Sequence, residues 1–541
     1  MDQTLKKHFF KKIIFLINTE NSPSTRYRVF NIIEGLIQRG IECNIDIPKN
    51  PDIFAQEYID KSDLLVVFRS EISEDIELII KKFQEKNIPV VFDVDDLVFE
   101  PESACLIDTI NRFKTVKQKD EAVLEICKLR ETLEKCDYIT CSTPSIAQRG
   151  ELIGKQSYVI KNTLNKGQFL LSEKLLENKS VLNGKKIRIG YFSGSKSHQK
   201  DFEECSDALL EILSKYPDVE FHITGILDLD KKFSKFKNRI FRNSFCHYLE
   251  MLEKLSKIDI NIAPLELNNI FTGSKSELKI FEAALVEVPT VASSVDSYSR
   301  CIKDGVNGFL AETKDDWVKK LSLLIEDENL RKTMKKTARK DFLEQFYINS
   351  IIDNVIDTYE NILADYYQKN RLNLDNLLAN MEDKITAEEA FVRFCHQYKL
   401  DYTDYNLKNF DFVTLAQNPQ LFTNLQFNGF LANPDFKNKI SKFIESCKNK
   451  KICFYGAGLI ARIFIASADL SELNIVGFID KDTAKRGSKI GNYEIFSILD
   501  LHSLNPDVLV LSVFRNKYVL EDIKKLKKQN NYNFKIINLF K

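Results

Sequence analysis

Residues 274–294, SKSELKIFEAALVEVPTVASS, hold the densest group of side chains that could do chemistry. Ser274 and Glu277 stand at the S-x-x-E spacing of a capping box, which predicts a helix start. A helix N-terminus offers backbone N–H groups and a positive dipole end, a setting suited to a phosphate. Glu282 follows with Leu278, Leu285 and Val286 at its i−4, i+3 and i+4 positions. A carboxylate on so apolar a flank needs hydrogen-bond partners, and a ribose diol would supply them. Residues 193–200, SGSKSHQK, place small residues that let a backbone approach a phosphate beside Lys200, which can set a cation on it. Arg26 and Arg28 bring forked donors for a phosphate or carboxylate. Residues 91–97, VFDVDDL, put Asp93, Asp95 and Asp96 just past an apolar run. There an acid could orient a hydroxyl or steady developing positive charge, or cap backbone N–H groups of a turn.

These groups need a scaffold, and the pattern predicts one. Strands over residues 11–18, 41–47, 63–69, 88–92 and 138–141 alternate with helical stretches, one of them residues 26–39 with a Ser or Thr N-cap and Gly40 at its end. A second series follows at residues 187–192, 219–224, 258–263 and 288–292, with helices over 202–214 and 247–256. Such alternation implies α/β folding with parallel sheets covered on both faces, and ligands at the carboxyl ends of the strands. The polar, lysine-rich residues 164–186 read as a linker between the two, and helical patterns over 331–346 and 350–367 close the second.

The 274–294 stretch resembles the donor-site motif of retaining GT-B glycosyltransferases, family 4 and its group 1 relatives. The resemblance implies that Glu282 binds the ribose of a sugar nucleotide. Ser274 stands where that family has its first glutamate, and Lys275-Ser276-Glu277-Leu278-Lys279 through Glu282 fits a K-S-x-L-K-x-x-E variant. By the same resemblance Ser193, Gly194 and Lys200 contact the donor diphosphate with Lys275, Ser276, Glu277 and Lys279. His198 or Lys196 would supply a second positive group there. Asp95 and Asp96 would take the catalytic positions on the acceptor side, where relatives carry a histidine that this chain lacks, and Arg26 and Arg28 would bind the acceptor. No metal and no cofactor are implied. A metal-binding D-x-D at the aspartates belongs to a different fold, and the doubled α/β pattern argues against it. Residues 298–311, YSRCIKDGVNGFLA, are similar to a glycine-bearing turn of the family.

Beyond residue 367 the character changes. Residues 368–449 are polar and only partly periodic, with the best helix at 386–398. From residue 450 a strand over 451–455 runs into G-x-G-x-x-A, with Gly456 and Gly458, and a second strand over 475–479 ends in Asp480, 24 residues after Gly456. This order is that of a nucleotide-binding Rossmann unit. The segment 477–496 resembles the nucleotide-sugar-binding domain that precedes the acyltransferase part of bacterial sugar acetyltransferases; the acyltransferase repeat is absent. The expected division is therefore an acceptor-side Rossmann-like domain over 1–163, the linker, a donor-binding domain over 187–340, crossing helices over 341–367, a helical connector over 368–449 and a third Rossmann-like domain over 450–541.

Composition narrows the rest. Lysine plus arginine equals aspartate plus glutamate at 78 each, which leaves no global charge for nucleic acid. The eleven cysteines contain no C-x-x-C pair and suit a reducing cytoplasm. No stretch approaches the roughly 18 apolar residues of a membrane span. The basic stretch 231–242, KKFSKFKNRIFR, from Lys231 to Arg242, is a candidate for contact with the inner face of an anionic membrane, or a solvated loop that runs into a strand. The activity expected is transfer of a sugar from a nucleoside diphosphate to a glycan or lipid-linked acceptor with retention. The alternatives are a noncatalytic nucleotide-sugar-binding subunit and a sugar-nucleotide epimerase of the same fold.

Overall fold

A computed structural model describes residues 10–17, 23–48, 51–177, 186–194, 199–370, 372, 386–397, 434–456, 470, 472–480, 486–487, 489–490, 493–511, 517–530 and 532–538. Met1–His396 with Asp401–Leu415 form one compact unit, and Gln397–Leu400 with Ala416–Lys541 form another.

The first unit contains two six-stranded parallel sheets. Strands β1 (Lys12–Ile17), β2 (Glu42–Asp46), β3 (Leu64–Phe68), β4 (Val90–Val94), β5 (Tyr138–Cys141) and β6 (Ser157–Val159) are ordered 2-1-3-4-5-6. The runs KIIFLI and LLVVF are buried along their whole length, as strands covered on both faces must be. Strands β7 (Ile187–Ser193), β8 (Val219–Gly225), β9 (Ile240–Asn243), β10 (Ile260–Ala263), β11 (Thr290–Ser293) and β12 (Phe309–Ala311) are ordered 12-11-10-7-8-9. The first order reverses between β1 and β3, the second between β7 and β10. Clefts therefore open at the carboxyl ends of these strands.

One device recurs at the opposite ends. Asp63, before β3, accepts hydrogen bonds from the backbone of Lys11 and Lys12 at 2.7 and 2.9 Å. Asp137, before β5, accepts from Val90 N–H, and Asp259, before β10, from Arg188 N–H, each at 2.8 Å. Each acid thus pins the start of its neighbour strand and fixes the register of the pair.

The chain returns from the second domain to the first. Leu164 N–H donates to Phe346 O at 2.7 Å, and Ile348 N–H to Leu164 O at 2.9 Å, which ties the way out to the way back. Helix Glu328–Phe346 stops there, and helix Ile348–Lys369 crosses onto helix Asn31–Gln38 of the first domain. Gly35 makes the crossing close: a Cβ there would lie 2.6 Å from Ile352 Cδ1. Tyr138 O–H donates to Asp365 at 2.6 Å farther along. Two Rossmann-like domains with a crossing helix are the expected GT-B arrangement.

Within the stretch read as a linker, Lys166–Glu177 is a helix. Asn165 and Gln168 exchange side-chain to backbone bonds at its start, at 2.7 and 3.2 Å, and Phe169 stacks on Tyr347 at 4.9 Å. Its lysines and glutamates masked Phe169, Leu171 and Leu175, which pack against the second domain's core. The basic stretch also forms structure, a 3-10 helix Lys231–Arg239 with Phe233 buried, followed by β9.

In the second unit, strands β13 (Lys451–Tyr455), β14 (Asn474–Asp480), β15 (Lys489–Ile490), β16 (Tyr493–Ser497), β17 (Val508–Leu511) and β18 (Lys535–Asn538) are ordered 15-16-14-13-17-18, with only the β15–β16 pair antiparallel among them. Asp507 repeats the strand-start device, accepting from Lys451 N–H at 2.8 Å.

A buried ion pair constrains the first sheet from within. Asp93 lies inside β4, and Arg28 grips it with Nε at 2.9 Å and Nη2 at 2.6 Å while Thr140 Oγ1 donates to it at 2.6 Å. Arg28→Met should cost about 3–5 kcal/mol, because it strands a buried carboxylate. Arg28→Met/Asp93→Leu should recover most of that loss, read by urea unfolding followed by circular dichroism.

Candidate active site

At the end of β7, Ser193 meets Gly225, whose φ of 98° and close approach exclude a side chain: a Cβ there would lie 1.9 Å from Ser193 O. Gly194 has open space where a Cβ would stand. Residues 195–198, and with them His198 and Lys196, lie outside the described residues. Lys200 is exposed in the first turn of helix Gln199–Lys215 and lines a depression with Glu203, Glu204, Asp207, Glu266 and Lys314. That acid-rich lining suits an anion poorly.

Asp201, the next residue, is buried and accepts from Lys275 Nζ at 3.3 Å and from Glu266 N–H at 3.1 Å. Lys279 stands near it with Nζ shielded from solvent and, among the described residues, without a hydrogen-bond partner. Its ammonium lies 5.1 Å from the Tyr191 ring centre. Burial pulls its pKa down to about 8 against the opposing pull of Asp201. A buried ammonium with no acceptor is a ready partner for an anion.

The capping box is not formed. Ser274 ends the short turn Ile270–Gly273 and donates Oγ to Ile270 O at 2.7 Å, while Glu277 takes the N-cap position of helix Leu278–Leu285 without a side-chain cap bond. The cause is the bend at residues 270–277, which turns the serine back onto its own segment. The helix start thus keeps its N–H groups free of a capping side chain. Ser276 Oγ accepts from Asn162 Nδ2 of the first domain at 2.8 Å. The Glu277 carboxyl is buried with Oε2 unpartnered, and burial pushes its pKa up to about 7, with Lys161 and Arg300 opposing and Asp296 adding to the shift.

Glu282 is 9% exposed. Its Oε1 accepts the hydroxyl of Tyr27, a residue of the first domain whose ring stands edge-on to Phe281 at 6.3 Å. Burial raises the Glu282 pKa, and the Tyr27 bond and the Arg26 charge work against that rise. The domains meet here closely. Thr143 Oγ1 donates to Ser274 O at 2.9 Å, Ser145 Oγ to Asp296 at 2.7 Å, and the Arg26 guanidinium lies 3.6 Å from the Tyr248 ring centre.

On the first domain's side the expected groups separate. Arg28 is not at the cleft: its guanidinium is fully buried against Asp93, so the reading of it as an acceptor ligand gives way to a core role. The reason is Asp93, which as a strand-interior acid requires a partner. Arg26 does face the second domain. Asp95 accepts from Arg69 Nη1 at 2.8 Å, and Asp96 lies 3.7 Å from the same nitrogen. Burial and Asp95 raise the Asp96 pKa, against the charges of Arg69 and of Lys275 across the cleft. Arg69 holds a φ of 38°, a strained conformation for a side chain of its size.

Tyr27, Arg69, Asn162 and Asp201 are the participants that sequence reasoning missed. Tyr27 sits between the two arginines it did single out, and Asp201 follows Lys200 directly. Among the described residues no group of three or more His, Cys, Asp or Glu is placed to hold a metal ion. In the second unit Gly456 takes a φ of 100° and donates its N–H to Ile479 O at 2.8 Å, beside Asp480 at the end of β14; Gly458 lies outside the described residues.

A model of the family described as Glycosyl transferases group 1 matches residues 186–327, the second domain, and one described as C2185-like, N-terminal matches residues 448–537. No curated protein matches the chain. Among solved structures, Anabaena Alr3699/HepE in complex with UDP and glucose is 16% identical over 65% of this chain and 100% of its own, with a TM-score of 0.46. Sucrose-phosphate synthase from Thermosynechococcus elongatus is 13% identical over 66% and 100%, at 0.44. A putative UDP-N-acetylglucosamine 2-epimerase from Listeria monocytogenes is 12% identical over 64% and 94%, at 0.38. At these identities and scores none of the three assigns an activity here.

The Glu277 geometry has a pH signature. Its folded pKa of about 7 lies above the ordinary 4.5, so its contribution is fully present below the lower value and lost as pH rises through the upper. Glu277→Gln should abolish that loss, making the variant the more stable protein above about pH 8 and near parity below about pH 5. Urea titrations followed through Trp317, the chain's single tryptophan and a core residue of this domain, would measure it.

Proposed function

We propose that the chain is a glycosyltransferase that moves a sugar from a nucleoside diphosphate to an acceptor hydroxyl with retention of configuration. The observation that carries this reading is the shielded ammonium of Lys279, unpartnered among the described residues, beside an uncapped helix start within the stretch that matches the group 1 model. A diphosphate placed there would satisfy both.

The roles follow from position. Lys279, Lys275 and the helix N–H groups stabilise the charge that grows on the departing diphosphate, a preorganised electrostatic task that the chain's own groups can perform. Gly194 leaves room for the phosphates. Glu282 takes the ribose hydroxyls. Asp95 and Asp96, held by Arg69, face the acceptor, where the raised pKa of Asp96 suits it to receive the proton of an attacking hydroxyl. Closure of the domains keeps water from the donor.

The acceptor is proposed to be a glycan or a lipid-linked sugar, in surface polysaccharide or glycoconjugate synthesis, and the site to be cytoplasmic. A membrane contact would use Lys231, Lys232, Lys235 and Lys237, which are exposed, with Phe241 and Phe245 nearby in sequence. Arg239 and Arg242 are engaged instead, through donation to Tyr216 O at 2.8 Å and to Leu227 O at 2.7 Å. The C-terminal unit would bind a nucleotide through Gly456 and Asp480. An epimerase needs an acid/base pair about the sugar, and the histidine beside Arg26 and Tyr248, His247, uses Nδ1 to cap the helix Tyr248–Leu255.

The test is release of free nucleotide from UDP-, GDP- and dTDP-sugars, with and without glycan acceptors. Glu282→Ala and Lys279→Met should each lower release by about a hundredfold or more. A chain truncated before Lys450 should retain it. Nucleotide binding with no release under any acceptor would mark a noncatalytic subunit.

A further inference from the structure

Glu282 and Tyr27 are 255 residues apart, in different domains, yet they form a buried hydrogen bond. Tyrosine donates and the carboxylate accepts. That bond uses Oε1, and among the described residues Oε2 has no hydrogen-bond partner. The placement of Tyr27 is no accident of a loose loop. It sits on a π-helical turn, Arg26–Phe30, one residue before Arg28, which is clamped to Asp93 inside the sheet. Its ring belongs to the second domain's apolar cluster, with Phe281 and Leu285. The backbone is therefore fixed from the first domain and the ring from the second.

We propose that Tyr27 is a positioning residue for the donor ribose: its hydroxyl locks Oε1 of Glu282 so that Oε2 is presented to the ribose diol. This rests on the reading of Glu282 given above. A buried carboxylate with one oxygen satisfied and the other open is a directional acceptor for hydroxyl groups. The ribose site is then complete only while the two domains are closed. Donor recognition and closure become one event, because an open molecule would leave Glu282 free to rotate. The first domain thereby contributes to donor affinity as well as to the acceptor.

Titration calorimetry with UDP or GDP, whichever binds more tightly, against its 2′,3′-dideoxy analogue separates the possibilities. In the wild type the diol should improve affinity. Tyr27→Phe keeps the ring and its packing, and should reduce that improvement by about fivefold or more, the worth of one hydrogen bond, with the analogue's affinity changed less than about twofold. Tyr248→Leu, which removes the neighbouring contact with Arg26 across the same cleft, should weaken both ligands equally. An undiminished diol preference in Tyr27→Phe overturns the proposal, and so does an equal loss for both ligands, which would reduce Tyr27 to a closure contact. A pH series gives a second readout. The Tyr27 bond lowers the Glu282 pKa, so in Tyr27→Phe the diol preference should vanish at a higher pH than in the wild type as pH falls; coincident profiles count against the proposal. Glu282→Gln tests the underlying reading separately. If that variant keeps the full diol preference, Glu282 is not the ribose ligand, whatever Tyr27 does.

Discussion

A carboxylate inside a parallel strand cannot remain charged without a partner, and the Asp93 side chain in β4 imposes this condition on the whole first domain. Arg28 answers it with two parallel hydrogen bonds, and reaches Asn162 at 3.4 Å as well. Because Arg28 must point inward, the residues before it in the π-helical turn are carried to the opposite side, and Arg26 and Tyr27 arrive at the second domain. Asn162 in turn donates to Ser276 at the start of the donor-side helix. One buried pair thus connects the β4 strand to the Tyr27–Glu282 and Asn162–Ser276 contacts between the domains.

The cleft is arranged as two charge systems that face each other. On the first domain Arg69 gathers Asp95 and Asp96. On the second, Asp201 gathers Lys275 and stands near Lys279. Neither set is neutralised internally, since Asp96 feels Lys275 across the gap and Lys279 has no acceptor among the described residues. Such residual charge in a poorly hydrated space favours ligands that bring the missing partner. The strained Arg69 conformation fits the same picture, since strain of that kind persists only where surrounding contacts over-determine it.

Much of the architecture was legible beforehand. The runs KIIFLI, LLVVF and KICFY read as strands and are strands, the first two buried throughout and the third from Ile452 on. The acids that pin neighbouring strands went unread, although Asp63, Asp137, Asp259 and Asp507 each directly precede an apolar run. The helix Lys166–Glu177 was hidden by its charges, and the expected serine cap at residue 274 failed because a tight bend redirected its hydroxyl to Ile270. Short motifs report which groups are near in sequence, while bends decide which of them turn toward a ligand.

The sequence by itself determined the periodicities, and with them three α/β sheets, the two strand-end clusters and the apolar flank that makes Glu282 conspicuous. It did so because burial on both faces leaves a local, unbroken signature in each strand. Only the tertiary structure decided which charge meets which. That Arg28 belongs to Asp93, that Asp201 governs Lys275, and that Glu282 is answered by Tyr27 depend on side chains brought together from 65, 74 and 255 residues apart. Long-range pairing of buried charge has no periodicity of its own; it is set by the requirement that each such group find a partner once the sheets have closed.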